Sequence, residues 1–99
     1  VNTIYQTPEF AAWLKKLRDQ KAKAVIARRI ERAEAGNFGD SKSLREGVSE
    51  MRIDFGPGYR VYFCRDGETV YILLAGGDKS TQTRDIENAI EMLQKLKDS

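Results

Sequence analysis

Val48 to Cys64 reads VSEMRIDFGPGYRVYFC, and its period is two. Met51, Ile53 and Phe55 alternate with Glu50, Arg52 and Asp54, the pattern of a strand with one apolar and one charged face. Gly56-Pro57-Gly58 turns the chain, and Tyr59 to Cys64 makes a second strand with Tyr59, Val61 and Phe63 on one side and Arg60, Tyr62 and Cys64 on the other. Asp66-Gly67 is a tight-hairpin signal, and Val70 to Ala75 reads as a third, more uniformly apolar strand. The expectation is an antiparallel meander with this most apolar strand at its centre.

Upstream the period changes to that of a helix. Thr7-Pro8-Glu9-Phe10 supplies a capping hydroxyl, a proline suited to the first helical position and a carboxylate for the positive end of the dipole. Phe10, Trp13, Leu14 and Leu17 form an apolar stripe, interrupted near Asp19 and Gln20 and resumed by Val25, Ile26, Ile30 and Ala33 up to a left-handed stop at Gly36. Two helices in a hairpin follow from this. Asn37 to Gly47 reads as an ordered loop anchored by Phe38 and Leu44, and a short strand near Thr3 to Gln6 has slight support. Downstream, Gly76-Gly77-Asp78-Lys79 ends the third strand, with Ser80 or Thr81 capping a helix lined by Ile86, Ala89, Ile90, Leu93 and Leu96. The order β-α-α-β-β-β-α gives an α+β fold: an N-terminal helical hairpin and a C-terminal helix packed on one face of a small, mainly antiparallel sheet.

Ninety-nine residues, 40% of them hydrophobic, suffice for one domain spanning 1–99 and for one core. A single cysteine, Cys64, excludes an internal disulfide, and no cluster of ligating side chains suggests a metal or other cofactor. No apolar run approaches a bilayer span and VNTIYQTPEF lacks the plan of a signal peptide, so a cytoplasmic location without membrane partners is expected. Because no methionine initiates the chain, Val1 need not be the native first residue. The net charge of +2 does not by itself make a nucleic-acid binder. Its distribution is uneven, with eight cations against Asp19 and Glu31 between Lys15 and Arg32. A solvated helix face is the ordinary account of such a run, and a polyanion partner the other.

If the Gly-Pro-Gly turn sets Arg60 beside Arg52 or Asp54, two guanidiniums and a carboxylate share one patch, to which the loop carrying Lys79 can add an ammonium. Guanidinium and ammonium together suit RNA phosphate. The simpler account on pattern alone is cross-strand ion pairing on a solvated face, at about 0.2–1 kcal/mol per pair. Both glycine pairs read first as turn chemistry, without phosphate-loop spacing. With no histidine and no G-x-S-x-G there is no serine-hydrolase site, and Cys64, within a strand, reads as a buried structural thiol.

GVSEMRIDFGPGYRVYF, from Gly47 to Phe63, and ILLAGGDKSTQTRDIENA, from Ile72 to Ala89, resemble the RelE/ParE superfamily of bacterial toxins, in particular its HigB-like addiction module killer branch. The resemblance takes in the TPEF helix start and nearly the whole chain. It implies a type II toxin: a ribosome-dependent mRNA endoribonuclease (an mRNA interferase) that inhibits translation through attack of the ribose 2′-hydroxyl on the adjacent phosphodiester. That reaction is attainable by positioning and electrostatics, without a metal. Carried over residue by residue, Arg60 of G-Y-R matches the phosphate-stabilising arginine, Arg52 a basic strand position, and Lys79 the basic loop residue that assists the leaving group. Glu50 stands where some relatives have a lysine, as base or as ion-pair partner. Lys42, Arg45, Arg84 and Tyr59 are taken as further nucleic-acid contacts, and stacking on a base falls to Tyr59, Tyr62, an arginine plane or the ribosome. No aromatic residue or histidine follows Tyr71, where some mRNA-cleaving relatives carry one.

The partners implied are the ribosome, mRNA and a cognate helix-turn-helix antitoxin, with operator DNA bound only by the toxin–antitoxin complex. The exposed hairpin helices and the charged sheet face are both candidate antitoxin surfaces. Two rival readings stand beside this one. A ParE-like inhibitor of DNA gyrase needs no nuclease residues, and a degenerate toxin would do no more than bind its antitoxin.

Overall fold

The computed structural model describes residues 1–99. Strand β1 (Thr3–Gln6) leads into helices α1 (Pro8–Lys16) and α2 (Gln20–Glu34). Strands β2 (Ser41–Ser43), β3 (Val48–Ile53), β4 (Tyr59–Arg65) and β5 (Val70–Asp78) follow, then a single 3₁₀ turn (Lys79–Thr81) and helix α3 (Gln82–Lys97). The five strands lie in the order β1-β5-β4-β3-β2, antiparallel except where β1 joins β5. The α+β class is as the sequence implies. No helix is long and apolar enough to cross a membrane.

The helix starts follow local chemistry. The Thr7 hydroxyl accepts from the Phe10 amide at 3.0 Å, and the Asp19 carboxylate accepts from the amides of Lys21 and Ala22. Gly36 takes φ +101° after α2, and both Gly56 and Gly58 need positive φ in the turn between β3 and β4. At α3 the expectation of a Ser80 or Thr81 cap is corrected. Thr81 makes no side-chain cap; Asp78 does that work one turn earlier, accepting from the Ser80 amide at 2.8 Å and opening the 3₁₀ turn.

Three further expectations change. The segment Asn37 to Gly47 is not all loop, because Ser41–Ser43 pairs with β3 as an edge strand. Strand β4, not the more uniformly apolar β5, is central, because β1 adds to the outer edge of β5 and β2 extends the other side. The helices also do not share a face. Phe10, Ala22, Ile26, Ile30, Met51, Ile53, Val61 and Phe63 form the core beneath α1 and α2. Val48, Tyr62, Cys64, Leu74, Ala89 and Leu93 form a second core beneath α3, on the opposite side. The alternation holds, but the charged face is roofed by α3.

Gly76-Gly77 belongs to β5 rather than to a turn, and neither glycine has positive φ. A bulge at Leu74 resets the alternation, since Phe63 pairs with Leu73 and Tyr62 with Ala75. Gly76 then lies under the Trp13 ring and Gly77 under the Asp85 carboxylate, with no room for a Cβ at either. The pair is glycine because α1 and α3 press on one strand from opposite sides.

Candidate phosphate-binding cleft

Arg52 and Arg60 are direct cross-strand partners in the β3–β4 register, with Glu50 two residues before Arg52 on the same face. Two guanidiniums set opposite one another repel, and the pairing holds because Glu50 lies between them. Arg52 Nε donates to Glu50 Oε2 at 3.1 Å, and Arg60 Nε stands 3.6 Å from Glu50 Oε1. Gln82, the first residue of α3, donates its Nε2–H to Oε1 at 2.7 Å. Glu50 is wholly buried, whereas the Arg52 side chain is 38% exposed and that of Arg60 11%. Both carboxylate oxygens are therefore engaged and shielded from substrate. Of its two sequence readings, base and ion-pair partner, the geometry supports the second.

Backbone bonds draw the remaining parts to the same strand ends. The Lys79 amide donates to the Gly58 carbonyl at 2.9 Å, and the Arg52 amide to the Asp40 carbonyl at 2.8 Å. Arg60 Nη1 donates to the carbonyls of Gly58 and Tyr59 at 3.3 and 3.2 Å. A Cβ at Gly58 would lie 3.4 Å from Lys79 Cδ and 3.5 Å from Arg60 Nη1, so the two side chains flank the bare glycine. The result is an open cleft of about 210 Å³ lined by Asp40, Arg52, Asp54, Gly58, Arg60 and Lys79, with no apolar side chain. Three cations face two carboxylates, and one phosphodiester would find guanidinium donors on one wall and an ammonium on another.

Arg29 braces this cleft from behind. Its Nη1 donates to the Arg52 carbonyl at 2.6 Å and its Nη2 to the Phe38 carbonyl at 3.0 Å, tying α2 to β3. Burial, with Arg32 nearby, draws the Arg29 guanidinium below its ordinary value. Phe38 stacks on Phe63 at 4.9 Å and anchors the intervening loop.

Tyr59 is on the wrong side for the stacking expected of it. It is 8% exposed in the hairpin-side core and meets Trp13 edge to face at 6.1 Å. The alternative, Tyr62, faces the correct side but is wholly buried under α3. Its hydroxyl has no partner, and burial followed by the charges of Glu50 and Asp85 pushes its ionisation upward. Lys42 pairs across β2–β3 with Glu50 and is exposed beside the cluster. Arg45 is engaged with Glu87 at the surface, and Arg84, 72% exposed, stands 4.0 Å from Asp85; neither lines the cleft. Cys64 is a buried thiol whose ionisation burial also pushes upward, as its strand position implies.

Gln82, Asp40 and Gly58 were not foreseen as parts of the site. A glutamine after Ser80-Thr81 carries no motif, and only the packing of α3 over Glu50 gives it a role. Asp40 is brought in by the pairing of β2, which the loop reading of its segment concealed.

A family model described as Phage derived protein Gp49-like matches residues 12–97. An uncharacterized protein of Haemophilus influenzae is 50% identical over 93 residues, covering 94% of each chain.

Proposed function

This chain belongs to the phage-derived Gp49-like family, associated with toxin–antitoxin modules, and we propose that it is a toxin that cleaves mRNA on the ribosome. The observation that carries this reading is the convergence of Arg52, Arg60 and Lys79 on an open, wholly polar cleft, with the two arginines pre-set by a buried carboxylate. In the reaction the scissile phosphate sits between the two guanidiniums. The ribose 2′-oxygen attacks phosphorus, and Arg52 and Arg60 stabilise the charge that builds on the non-bridging oxygens. Lys79 protonates the departing 5′-oxygen, leaving a 2′,3′-cyclic phosphate. Asp40 and Asp54 are the carboxylates this chain offers to the 2′-hydroxyl proton, and the ribosome supplies the base stacking that Tyr59 and Tyr62 do not. A cognate helix-turn-helix antitoxin restrains the toxin, and operator DNA is a partner of that complex alone. The HigB-like branch is the part of the superfamily this reading favours.

Primer extension after brief induction tests the proposal. New 5′ ends inside reading frames are expected with the wild type. With Arg60→Ala cleavage should fall by about 10²–10³-fold, the usual cost of one preorganised donor to a developing oxyanion. Intact mRNA together with accumulated cleaved DNA would instead identify a ParE-like gyrase inhibitor.

A further inference from the structure

We infer that the solvent side of α2 is a second RNA contact, on which Lys21, Arg28 and Arg32 engage ribosomal RNA phosphates while the cleft holds the mRNA. This rests on the ribosome-directed reading above. The first support is charge distribution. Residues 15–32 hold eight of the chain's seventeen cations and only two of its fifteen carboxylates, so the rest of the molecule is net acidic. Two of the eight have structural work: Lys23 Nζ donates to the Lys15 carbonyl at 2.9 Å, and Arg29 braces β3. One of the two carboxylates, Asp19, caps α2. Every ion pair in the protein lies outside this segment. An ordinary solvated helix ties its opposite charges at i,i+4, whereas α2 sets five cations against Glu31 and Glu34 and ties none of them in an ion pair.

The second support is shape. Lys21, Arg28 and Arg32, separated by seven and four residues, share one stripe running about 16 Å along the axis. Ala24 beside them is exposed and short, so a polymer backbone can approach, and Glu31 is the one carboxylate on that side. A protein partner would need an apolar anchor within its polar rim. The large exposed hydrophobic residues are Val1, Tyr5 and Leu96, none of them on α2. A phosphate backbone requires only charge and access. Arg29 fixes α2 to Arg52, so stripe and cleft keep a constant spacing and one rigid RNA assembly can meet both.

Co-sedimentation with purified 70S ribosomes over a KCl series tests this, using Lys79→Ala as the background and adding Lys21→Gln, Arg28→Gln and Arg32→Gln together. The slope of log Kd against log [KCl] should fall by about 2–3, and Kd near physiological salt should rise by roughly tenfold or more. The charge-keeping set Lys21→Arg, Arg28→Lys and Arg32→Lys should bind as the background does, and matching melting curves check the fold. Ribosome binding with an unchanged slope would overturn the stripe while leaving the ribosomal reading intact. No sedimentation of the wild-type protein at any salt would overturn both. If poly-L-glutamate competed as well as an RNA duplex of equal charge, the stripe would be a surface for acidic proteins instead.

Discussion

On the hairpin side of β3 and β4, Met51, Ile53, Val61 and Phe63 are sealed beneath α1 and α2. On the other side the same two strands set Glu50, Arg52 and Arg60 beside Val48, Tyr62 and Cys64. The first face needs only complementary shape, and its residues are interchangeable within limits of volume. The second mixes a small apolar core with a buried carboxylate that two arginines and a glutamine must satisfy together. A polar cluster beneath a helix is a costly way to stabilise a sheet, because replacing such a cluster by apolar residues is often neutral or stabilising. Its retention here is explained by what it holds at the open end, where the guanidiniums reach the cleft.

If that division is right, damage to the two faces should separate stability from activity. The largest effect on stability is expected from Phe10→Ala, which empties a wholly buried site in the hairpin-side core. The cost should be about 3–5 kcal/mol. For a chain of this length that corresponds to a fall in Tm of roughly 12 °C or more by calorimetry. At a temperature where the variant is still folded, its mRNA cleavage should match the wild type. A loss of cleavage in proportion to Arg60→Ala would mean that the faces are not separable.

The next effect belongs to the opposite face. Glu50→Gln keeps the shape but removes the negative charge between two guanidiniums, so both arginines lose their common anchor. Cleavage should fall by about 10–100-fold at a stability cost of about 3 kcal/mol, the low end for loss of one partner from a buried pair because Arg52 is 38% exposed. Gln82→Ala should fall in the same direction by a smaller factor, since it removes one hydrogen bond to a charged group, worth about 1.5–3 kcal/mol at most. Because Glu50 acts through the arginines, the pH profile of cleavage should keep its shape in both variants while the rate drops. A changed acidic limb in Glu50→Gln alone would restore the carboxylate as the base.

The sequence carried one face of this comparison far better than the other. Helical spacing from Phe10 to Ala33 and the alternation of Met51, Ile53, Val61 and Phe63 identify the hairpin-side core, because burial against helices leaves a periodic trace. The same alternation groups Glu50 with Arg52 and Arg60 with Tyr62, but leaves open whether the two sets meet across the Gly-Pro-Gly turn; the β3–β4 register settles that they do. What alternation cannot state is which layer covers a face. The packing of α3 over Glu50 and Tyr62 goes with the bulge at Leu74 and the close approach of Asp85 at Gly77, neither of which has a periodic signature. Tyr59 is expected at the site as an aromatic to stack on a base, yet it adjoins Arg60 in the strand, and adjacent strand residues point to opposite faces.

The smallest effect concerns one of the two buried polar atoms without a hydrogen bond on the α3 face; the other, Arg60 Nε, at least has Glu50 Oε1 as an ion-pair partner at 3.6 Å. The Tyr62 hydroxyl is wholly enclosed, has no hydrogen-bond partner, and faces the charges of Glu50 and Asp85. Removing it in Tyr62→Phe keeps the ring that packs on Leu74 and Ala89 and discards a polar atom whose burial is unrewarded, so a gain of about 0–1 kcal/mol is expected. The pH dependence gives a sharper test. Burial raises the folded-state ionisation of Tyr62 above that of the unfolded chain, so its neutral form supports the fold fully below about pH 10, the reference value for tyrosine. As pH rises beyond that, the unfolded chain releases the proton more readily and stability falls. Denaturant melts from pH 8 to 11 should show this alkaline slope in the wild type and a shallower one in Tyr62→Phe, while cleavage at neutral pH is unchanged. An equal slope in the two proteins would mean that the phenolate is as well stabilised in the fold as in the unfolded chain, by water or a cation, so that the hydroxyl is not orphaned. The contrast between a satisfied Glu50 and an orphaned Tyr62 would then have to be withdrawn.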